Sequence, residues 1–369
     1  MIEHIHIEGF RSFEELDLDL GPLNVLIGPN ASGKSNFLDF FALLREGAEG
    51  RLQGGVTRRG GIAALLWWGG AGRIDIEATF GHLPSAPPGI HGRCPDTLTY
   101  RLQVEPEQYG AVTLREWARG MTDGEGGEAR PPGVAVRVFR VKRSDEPLAE
   151  AVREQLDSCA TYVPIDTAGQ APIRHPVEPD ATTQLRGHGG NLTAVLHYLS
   201  RRHEYQSTYS RICEAVSAAY PDFEGMTFRR ERRGGRVELE WRDKSLPKHV
   251  SARFLSDGTL RLLCLVTVLL APDPPALICI DLPEEGLHPS LMPLIADLLH
   301  DAATRTQLIV ATHSAQLVDH LQPEEVIVVE KEQGATQMMR LEDRERLEEW
   351  LKDFTLGELW LTGEIGGRP

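Results

Sequence analysis

The sequence feature that most constrains this chain is an eight-residue glycine loop between an apolar strand and a helix. Residues 28–35 read Gly-Pro-Asn-Ala-Ser-Gly-Lys-Ser and match the pattern GxxxxGK[ST]. The apolar run Leu23–Ile27 precedes the loop, and apolar residues at helical spacing follow it from Asn36 to Leu44. Such a loop turns backbone N–H groups toward phosphates at the positive end of a helix. The pattern predicts a nucleoside triphosphate site at Asn30, Ala31, Ser32, Gly33, Lys34, Ser35 and Asn36.

Two side chains of this loop and one distant carboxylate have predicted roles at that site. We expect Lys34 to reach the β- and γ-phosphate oxygens and the Ser35 hydroxyl to ligate Mg²⁺. Asp281 ends the apolar run Ile278–Ile280, and such a buried strand delivers an acid to Mg²⁺ at its carboxyl edge. The alternative for this run is a core strand that ends in a solvated aspartate.

Two further segments indicate a function only when they are considered together with the first two motifs. Ser256, Asp257 and Gly258 begin a predicted helix, whose N-terminus attracts anions. The apolar strand that ends at Ala311 is followed by Thr312 and His313. Taken singly, these would be an ordinary helix start and a lone histidine.

Taken together and in this order, the motifs resemble those of the ABC-type ATPases of the SMC and RecF class. They resemble more closely the short bacterial AAA-family, or OLD-like, ATPases, in which the Asp281 strand continues into Gly-Leu-His-Pro, here residues 286–289. The Gly-Phe-Arg-Ser-Phe stretch at residues 9–13 resembles the opening of that class, and residues 356–369 resemble its tail. The resemblance implies ATP and Mg²⁺ as ligands. It also implies an α/β P-loop NTPase fold, an ABC-ATPase head with a mostly parallel core sheet, an antiparallel β subdomain or insertion and a helical lobe.

The resemblance also assigns roles to residues. Ser256, Asp257 and Gly258 would meet the γ-phosphate held by a second subunit, so an ATP-dependent homodimer or higher oligomer is expected. His313 would sense the γ-phosphate, and residues 287–289 would lie at the dimer seam. Arg11 is a further candidate for nucleotide contact. Gln53 and Gln170 are both candidates for the Q-loop glutamine.

One residue departs from the family pattern. Leu282 stands where the family has the glutamate that positions the attacking water, and leucine can neither accept a proton nor orient water. Glu284 is a candidate replacement but lies two residues out of register. Two hypotheses follow: an ATPase with slow turnover, with Asp281, His313 and Glu284 as its catalytic residues, or a non-hydrolysing scaffold that uses ATP to hold an assembly together. A transporter ATPase is a weaker third hypothesis, because the stretches 9–13 and 286–289 are not typical of one.

The sequence predicts one head domain over residues 1–369. Residues 1–45 and 256–335 would form the nucleotide-binding α/β core, 46–190 a β-rich insertion, 191–255 a helical lobe, and 336–369 a C-terminal cap. Predicted strands are residues 5–7, 23–27, 74–80, 98–104, 134–141, 276–280, 307–311 and 325–330, with a strand pair over 228–241 that turns at Gly234-Gly235. One predicted helix begins after the N-cap Asn191 and extends toward Ala219, and a second begins near Ser256. Two more are predicted at residues 290–300 and 342–354. Residues 120–133 are predicted to form a surface loop.

Composition limits the environment and the partners. The formal net charge is −15, which disfavours non-specific binding to nucleic acid. The five cysteines are scattered without a CxxC pair, as in a protein with reduced thiols. No apolar run is long enough to span a membrane, and the N-terminus alternates like a strand. We therefore expect a cytoplasmic protein without a membrane partner.

The remaining predictions concern partners. For a stand-alone head the resemblance suggests control of a separate effector, a nuclease or toxin, or of a DNA-engaged complex, in phage defence or DNA maintenance. DNA contact stays open because Arg229, Arg230, Arg232, Arg233 and Arg236 cluster on the predicted strand pair, although such a run is more often a charged edge strand. Trp67 and Trp68 are predicted to fill the core of the insertion, with anchoring of a partner as the alternative. The carboxylates near Glu330 are predicted to lie on the surface.

Overall fold

The computed structural model describes residues 1–81, 97–107, 112–121, 134–135, 147–231, 234–341, 347 and 349–368. The described strands are β1 Ile2–Phe10, β2 Phe13–Asp19, β3 Leu23–Ile27, β4 Ile74–Gly81, β5 Thr97–Pro106, β6 Val112–Met121, β7 Val134–Ala135, β8 Cys159–Tyr162, β9 Phe223–Arg230, β10 Val237–Asp243, β11 Val250–Ser251, β12 Leu277–Asp281, β13 Gln307–Ala311, β14 Val326–Glu332 and β15 Ala335–Arg340. The described α-helices are α1 Lys34–Ala48, α2 Leu52–Arg58, α3 Pro147–Asp157, α4 Leu192–Arg201, α5 Gln206–Ala219, α6 Asp257–Leu269, α7 Met292–Ala303, α8 Ala315–Val318 and α9 Leu356–Thr362.

A six-stranded sheet in the order β15-β14-β3-β13-β12-β8 forms the centre of the fold. Its strands pair in parallel except for β15, which is antiparallel to β14. Every residue of β3 and β13 is buried, as expected for parallel strands covered on both faces. The predicted mostly parallel core sheet is therefore confirmed.

Alternate residues of the central strands belong to two separate hydrophobic cores. Val25, Ile278 and Val310 face the core that contains α4, α6 and α7. Leu26 and Ile309 face the other, which contains α1 and the antiparallel sheet. The central sheet lies between the two cores, so it positions both layers relative to the nucleotide loop.

The second six-stranded sheet is antiparallel, in the order β2-β1-β4-β5-β6-β7. It unites strands from residues 1–45 with strands from the segment 46–190, while β8 of that same segment joins the central sheet. The hydrogen bonds between strands divide the segment 46–190 between the two sheets. The sequence pattern does not show which strands pair. The strands β2, β6, β8, β11 and β15 and the helices α2, α3, α8 and α9 were not predicted.

The segment 191–255 contains two helices and a three-stranded antiparallel sheet, β11-β10-β9. The predicted turn of the strand pair is confirmed, since Gly234 and Gly235 adopt φ of 86° and 70°. The helical stretch breaks after Arg201 and resumes as α5. Asn191 occupies the predicted N-cap position, but its side chain does not cap. Its Oδ1 accepts instead from the Arg186 N–H at 2.9 Å, so the amide tightens the preceding loop.

Several predicted segments fall outside the described residues in whole or in part. Only residues 134–135 of the predicted strand 134–141 are described, and most of the predicted loop 120–133 is outside. Within 342–354, residues 347, 349 and 350 are helical and 342–346 and 348 are outside. In the described part of the chain, none of the helices combines the length and apolarity that a membrane crossing requires.

Candidate nucleotide site

The glycine loop can exist only because two of its positions have no Cβ atom. A Cβ on Gly28 would lie 2.1 Å from the Val329 carbonyl oxygen, and one on Gly33 would lie 2.3 Å from Thr336 Oγ1. Gly33 also adopts a φ of 120°, which side-chain-bearing residues rarely adopt. The loop is thus confined between α1, which begins at Lys34, and the strands β14 and β15.

Lys34 folds back over this loop. Its Nζ donates to the carbonyl oxygens of Gly28 at 2.7 Å and Pro29 at 2.9 Å. Burial lowers the pKa of Lys34 to about 8, although Asp281 and Glu284 favour its charged form. The Ser32 hydroxyl is buried there without a hydrogen-bond partner among the described residues. The loop therefore offers a cation and a spare polar group to an anion.

Ser35 and Asp281, separated by 246 positions, meet at the carboxyl edge of β12. The Ser35 hydroxyl donates to Asp281 Oδ2 at 3.0 Å. Burial raises the pKa of Asp281, while Ser35 and Lys34 act in the opposite direction. This is the meeting of hydroxyl and carboxylate that the sequence predicts for Mg²⁺.

The turn after β12 brings Glu284 to the same place. Leu282 adopts a φ of 53°, in the left-handed region, and the following residues form a tight turn. As a result Glu284 Oε1 accepts from the backbone N–H of His313 at 2.7 Å. Burial raises the pKa of Glu284 and lowers that of His313. The register argument from sequence did not anticipate this turn.

Leu282 itself lines a mostly apolar pocket on α6, together with Cys264, Leu265 and Val268. The nucleotide loop does not contribute to that pocket. A leucine is therefore suited to this position, while the neighbouring glutamate reaches the site.

The segment Ser256–Gly258 lies at the start of α6, as predicted. The Ser256 hydroxyl caps the helix by accepting from the Thr259 N–H at 3.1 Å. A Cβ on Gly258 would lie 2.6 Å from the Gly286 carbonyl oxygen, so the helix start packs directly on the turn after β12. Within the described structure, no hydrogen bond or ion pair joins these three residues to Lys34 or Ser35.

Arg11 contacts the helix that follows the loop. Its guanidinium donates to Asn36 Oδ1 at 3.1 Å and forms an ion pair with Asp39 at 2.8 Å. Its nucleotide contact stays a prediction. Of the Q-loop candidates, Gln170 is exposed in the segment after β8, and Gln53 lies in α2.

Sequence reasoning missed two residues that hold the loop and the helix start. The buried Thr336 hydroxyl donates to the Ser32 carbonyl oxygen at 2.6 Å and contacts Ser12 Oγ at 2.8 Å. Arg174, also buried, bonds to Asp257. Neither has a sequence signal, because each is a single polar residue far from its partner along the chain.

The C-terminal residues also reach the glycine loop. Gly367 lies so close to Gly28 that a Cβ on it would be 3.3 Å from the Gly28 Cα. Glu330 Oε1 accepts from the Gly367 N–H at 2.5 Å, so this carboxylate anchors the tail and is not simply solvated. The fully buried Trp360 donates to the Gly367 carbonyl oxygen at 2.5 Å.

Two minor predictions change. The Trp68 side chain is 65% exposed and does not fill a core, and the backbone N–H of Trp68 donates to the Arg11 carbonyl oxygen at 3.1 Å. Arg229 pairs with Glu238 and Glu240, so part of the basic cluster is neutralised. Arg232 and Arg233 lie outside the described residues.

The predicted reduced thiols hold for the described cysteines, which are free. Cys159, Cys264 and Cys279 are buried, and Cys213 is half-buried. Cys94 lies outside the described residues.

Comparison with known proteins agrees with this geometry. The family model described as "AAA domain, putative AbiEii toxin, Type IV TA system" matches residues 209–319. The model "AAA ATPase domain" matches residues 1–53. These two stretches contain the glycine loop, Asp281 and His313.

Solved structures match almost the whole chain. An Smc head bound to the C-terminal winged-helix domain of ScpA has a TM-score of 0.62 at 16% identity, and the match covers 94% of this chain and 99% of that one. The SMC head domain from Thermotoga maritima has a TM-score of 0.52 at 15% identity, with 92% and 99% covered. The chain therefore has the fold of an ABC-type ATPase head like those of SMC proteins, and two of its stretches match AAA-family models.

Curated relatives match this ATPase head over shorter stretches. An OLD nuclease from Thermus scotoductus is 42% identical over 38 residues, which is 10% of this chain and 7% of the relative. An uncharacterized protein of Methanocaldococcus jannaschii is 45% identical over 82 residues, 22% of this chain and 36% of the relative. The matched stretches thus span well under half of either relative.

Proposed function

We propose that this ATPase head binds ATP with Mg²⁺ between two copies of itself and that slow hydrolysis resets the assembly. The observation that carries the proposal is the Ser35–Asp281 hydrogen bond of 3.0 Å at the glycine loop. Glu284 and His313 lie at the same edge of the sheet, joined by a 2.7 Å hydrogen bond.

The residues of the site fit a magnesium–triphosphate pair. The unpartnered Ser32 hydroxyl and the Lys34 ammonium face an anion site, while Ser35 and Asp281 provide the oxygen ligands that Mg²⁺ prefers. When bound, Mg²⁺ supplies electrostatic stabilisation of charge on the phosphoryl oxygens. Lys34 would bind the β- and γ-phosphate oxygens.

Glu284 is proposed as the group that orients the attacking water. Its pKa is raised by burial, which makes the carboxylate a better proton acceptor, and the His313 N–H fixes its orientation. His313 would sense the γ-phosphate from the end of β13. Leu282 then needs no carboxylate, because the turn it begins places Glu284 instead.

The second copy would complete the site. Ser256, Asp257 and Gly258 make no hydrogen bond or ion pair with Lys34 or Ser35 within the described part of this chain. The Asp257 side chain is 63% exposed, as a group that meets another subunit should be. A helix N-terminus offered across the seam would bind the γ-phosphate.

Mass measurement with and without ATP and Mg²⁺ tests the proposal. The wild-type chain should become a dimer or higher oligomer only with ATP, and Lys34→Ala should remain a monomer. A wild-type chain whose mass does not respond to ATP would refute the proposal. The scaffold alternative predicts the same mass change but turnover equal to that of Lys34→Ala, so a phosphate-release assay separates the two.

We further propose that the dimer controls a separate effector, a nuclease or toxin, in defence against phage, with DNA as a further candidate ligand. This rests on the names of the matched OLD nuclease and toxin family, and on resemblance alone. Tagged wild-type chain should capture the effector in an ATP-dependent way, and Lys34→Ala should not. Equal capture by both chains would contradict control by ATP.

A further inference from the structure

Arg174 is buried beside the Ser256 helix start and is bonded at every nitrogen. It lies in a 3-10 turn over Pro172–Arg174 and is 7% exposed. Its Nε donates to the Thr167 carbonyl oxygen at 2.6 Å. Its Nη1 donates to the carbonyl oxygens of Arg253 and Leu255 at 3.1 and 2.7 Å, and its Nη2 to Asp257 Oδ1 at 2.5 Å.

These partners show what Arg174 holds in place. Arg253 and Leu255 are on the chain that leads into Ser256, so their bonds fix the approach to the helix. The bond to Asp257 fixes the carboxylate that follows. A guanidinium is planar and always charged, so this one side chain orients the two carbonyl groups and the Asp257 carboxylate together.

The helix start does not need Arg174 merely to form. Ser256 already caps α6 through the Thr259 N–H, and Gly258 already packs on Gly286. The additional effect of Arg174 is on the exposed part of the segment. The Thr167 hydroxyl and Arg174 together lower the pKa of Asp257, so both favour the ionised carboxylate.

We propose that Arg174 is a positioning residue that presents Ser256 and Asp257 to the nucleotide bound by a second copy of this chain. The inference rests on the proposed ATP-dependent dimer. Arg174 acts in trans: it serves the partner's glycine loop and leaves ATP binding by its own loop unchanged.

Single variants give the first test. Arg174→Met and Arg174→Lys should bind a fluorescent ATP analogue within about two-fold of wild type, while ATP-dependent dimerisation and turnover fall about ten-fold or more, as for a lost charge-assisted network. Lysine should restore little, because it cannot form the four directed bonds. Arg186→Met is the matched control, since Arg186 is 62% exposed in the same region and should leave dimerisation and turnover unchanged. The proposal would be overturned if Arg174→Met dimerised with ATP as well as the wild-type chain does. It would also be overturned if a folded Arg174→Met chain no longer bound the ATP analogue.

Mixed pairs of differently tagged chains give the second test and remain informative if Arg174→Met is less stable. A Lys34→Ala chain paired with an Arg174→Lys chain keeps one composite site in which both halves are intact. A Lys34→Ala/Arg174→Lys double variant paired with wild type keeps none. ATP-dependent co-capture through both tags, and turnover by the co-captured mixed pairs, should therefore persist in the first pair and vanish in the second.

If Arg174 served the loop of its own chain, the second pair would keep one intact site and the first pair none. Activity in the second pair but not in the first, or equal activity in both, would therefore overturn action in trans. A wild-type chain that binds no ATP analogue or forms no ATP-dependent pair would instead refute the proposed function, and the role of Arg174 with it. The two failures are thus distinguished by the wild-type control.

Discussion

Replacing Glu284 by glutamine removes one negative charge and changes little else. The hydrogen bond from the His313 N–H to Oε1 can persist, because the glutamine carbonyl oxygen also accepts. The amide can still be held in place, but it cannot accept a proton from water. General-base assistance contributes about 10²- to 10⁴-fold, equivalent to about 2.7–5.5 kcal/mol of activation free energy. We expect Glu284→Gln to lose turnover in this range and to keep ATP binding and the ATP-dependent mass change.

Leu282→Glu is the matched comparison. A carboxylate at residue 282 would enter a mostly apolar pocket lined by Cys264, Leu265 and Val268. Asp281 also lines this pocket, and its like charge disfavours a second carboxylate there, so the variant should not accelerate turnover. It should also lower the free energy of unfolding by about 1–3 kcal/mol, the usual cost of an unpaired polar group in such a place. Phosphate release at saturating ATP and a denaturant titration measure the two effects. Wild-type turnover by Glu284→Gln, or faster turnover by Leu282→Glu, would refute the assignment.

Three further outcomes follow from the glycine loop. Gly28→Ala should abolish ATP binding and lower the melting temperature, because the new Cβ would lie 2.1 Å from a carbonyl oxygen of β14, whereas Gly72→Ala, with nothing within 4 Å, should change neither. Thr336→Val should cost about 1–3 kcal/mol in a denaturant titration, because it leaves the buried Ser32 carbonyl oxygen without this donor; an unchanged midpoint would contradict that. Since the pKa of Lys34 is about 8 in the free chain, ATP binding at pH 9 should take up a proton, and affinity should fall about ten-fold per unit well above that pKa. Calorimetry in buffers of different ionisation enthalpy measures this uptake, and a value of zero at pH 9 would contradict it.

The sequence predicted best those features whose signal is local. The glycine loop, the strand before it and the helix after it are contiguous, so their identity follows from a short pattern. The central parallel strands were predicted because burial on both faces requires an unbroken apolar run, as in Gln307–Ala311. The cap at Ser256 was predicted because a hydroxyl at that position satisfies a free N–H one turn later.

The strand pairing was harder to predict. Strands β1 and β2 join β4, β5 and β6 in one sheet, although the glycine loop and α1 lie between them along the chain. The alternation of a strand shows which residues are buried but does not show which strand lies beside it.

By itself, then, the sequence predicted the P-loop ABC-ATPase head fold and a candidate nucleotide site at Lys34, Ser35 and Asp281. The tertiary structure decided how that site is completed. It placed Glu284 beside His313 through the left-handed turn at Leu282, and it placed Arg174 on Asp257. The physical reason is that a motif encodes bonds between near neighbours, whereas these contacts join side chains that are distant in sequence, and folding alone brings them together.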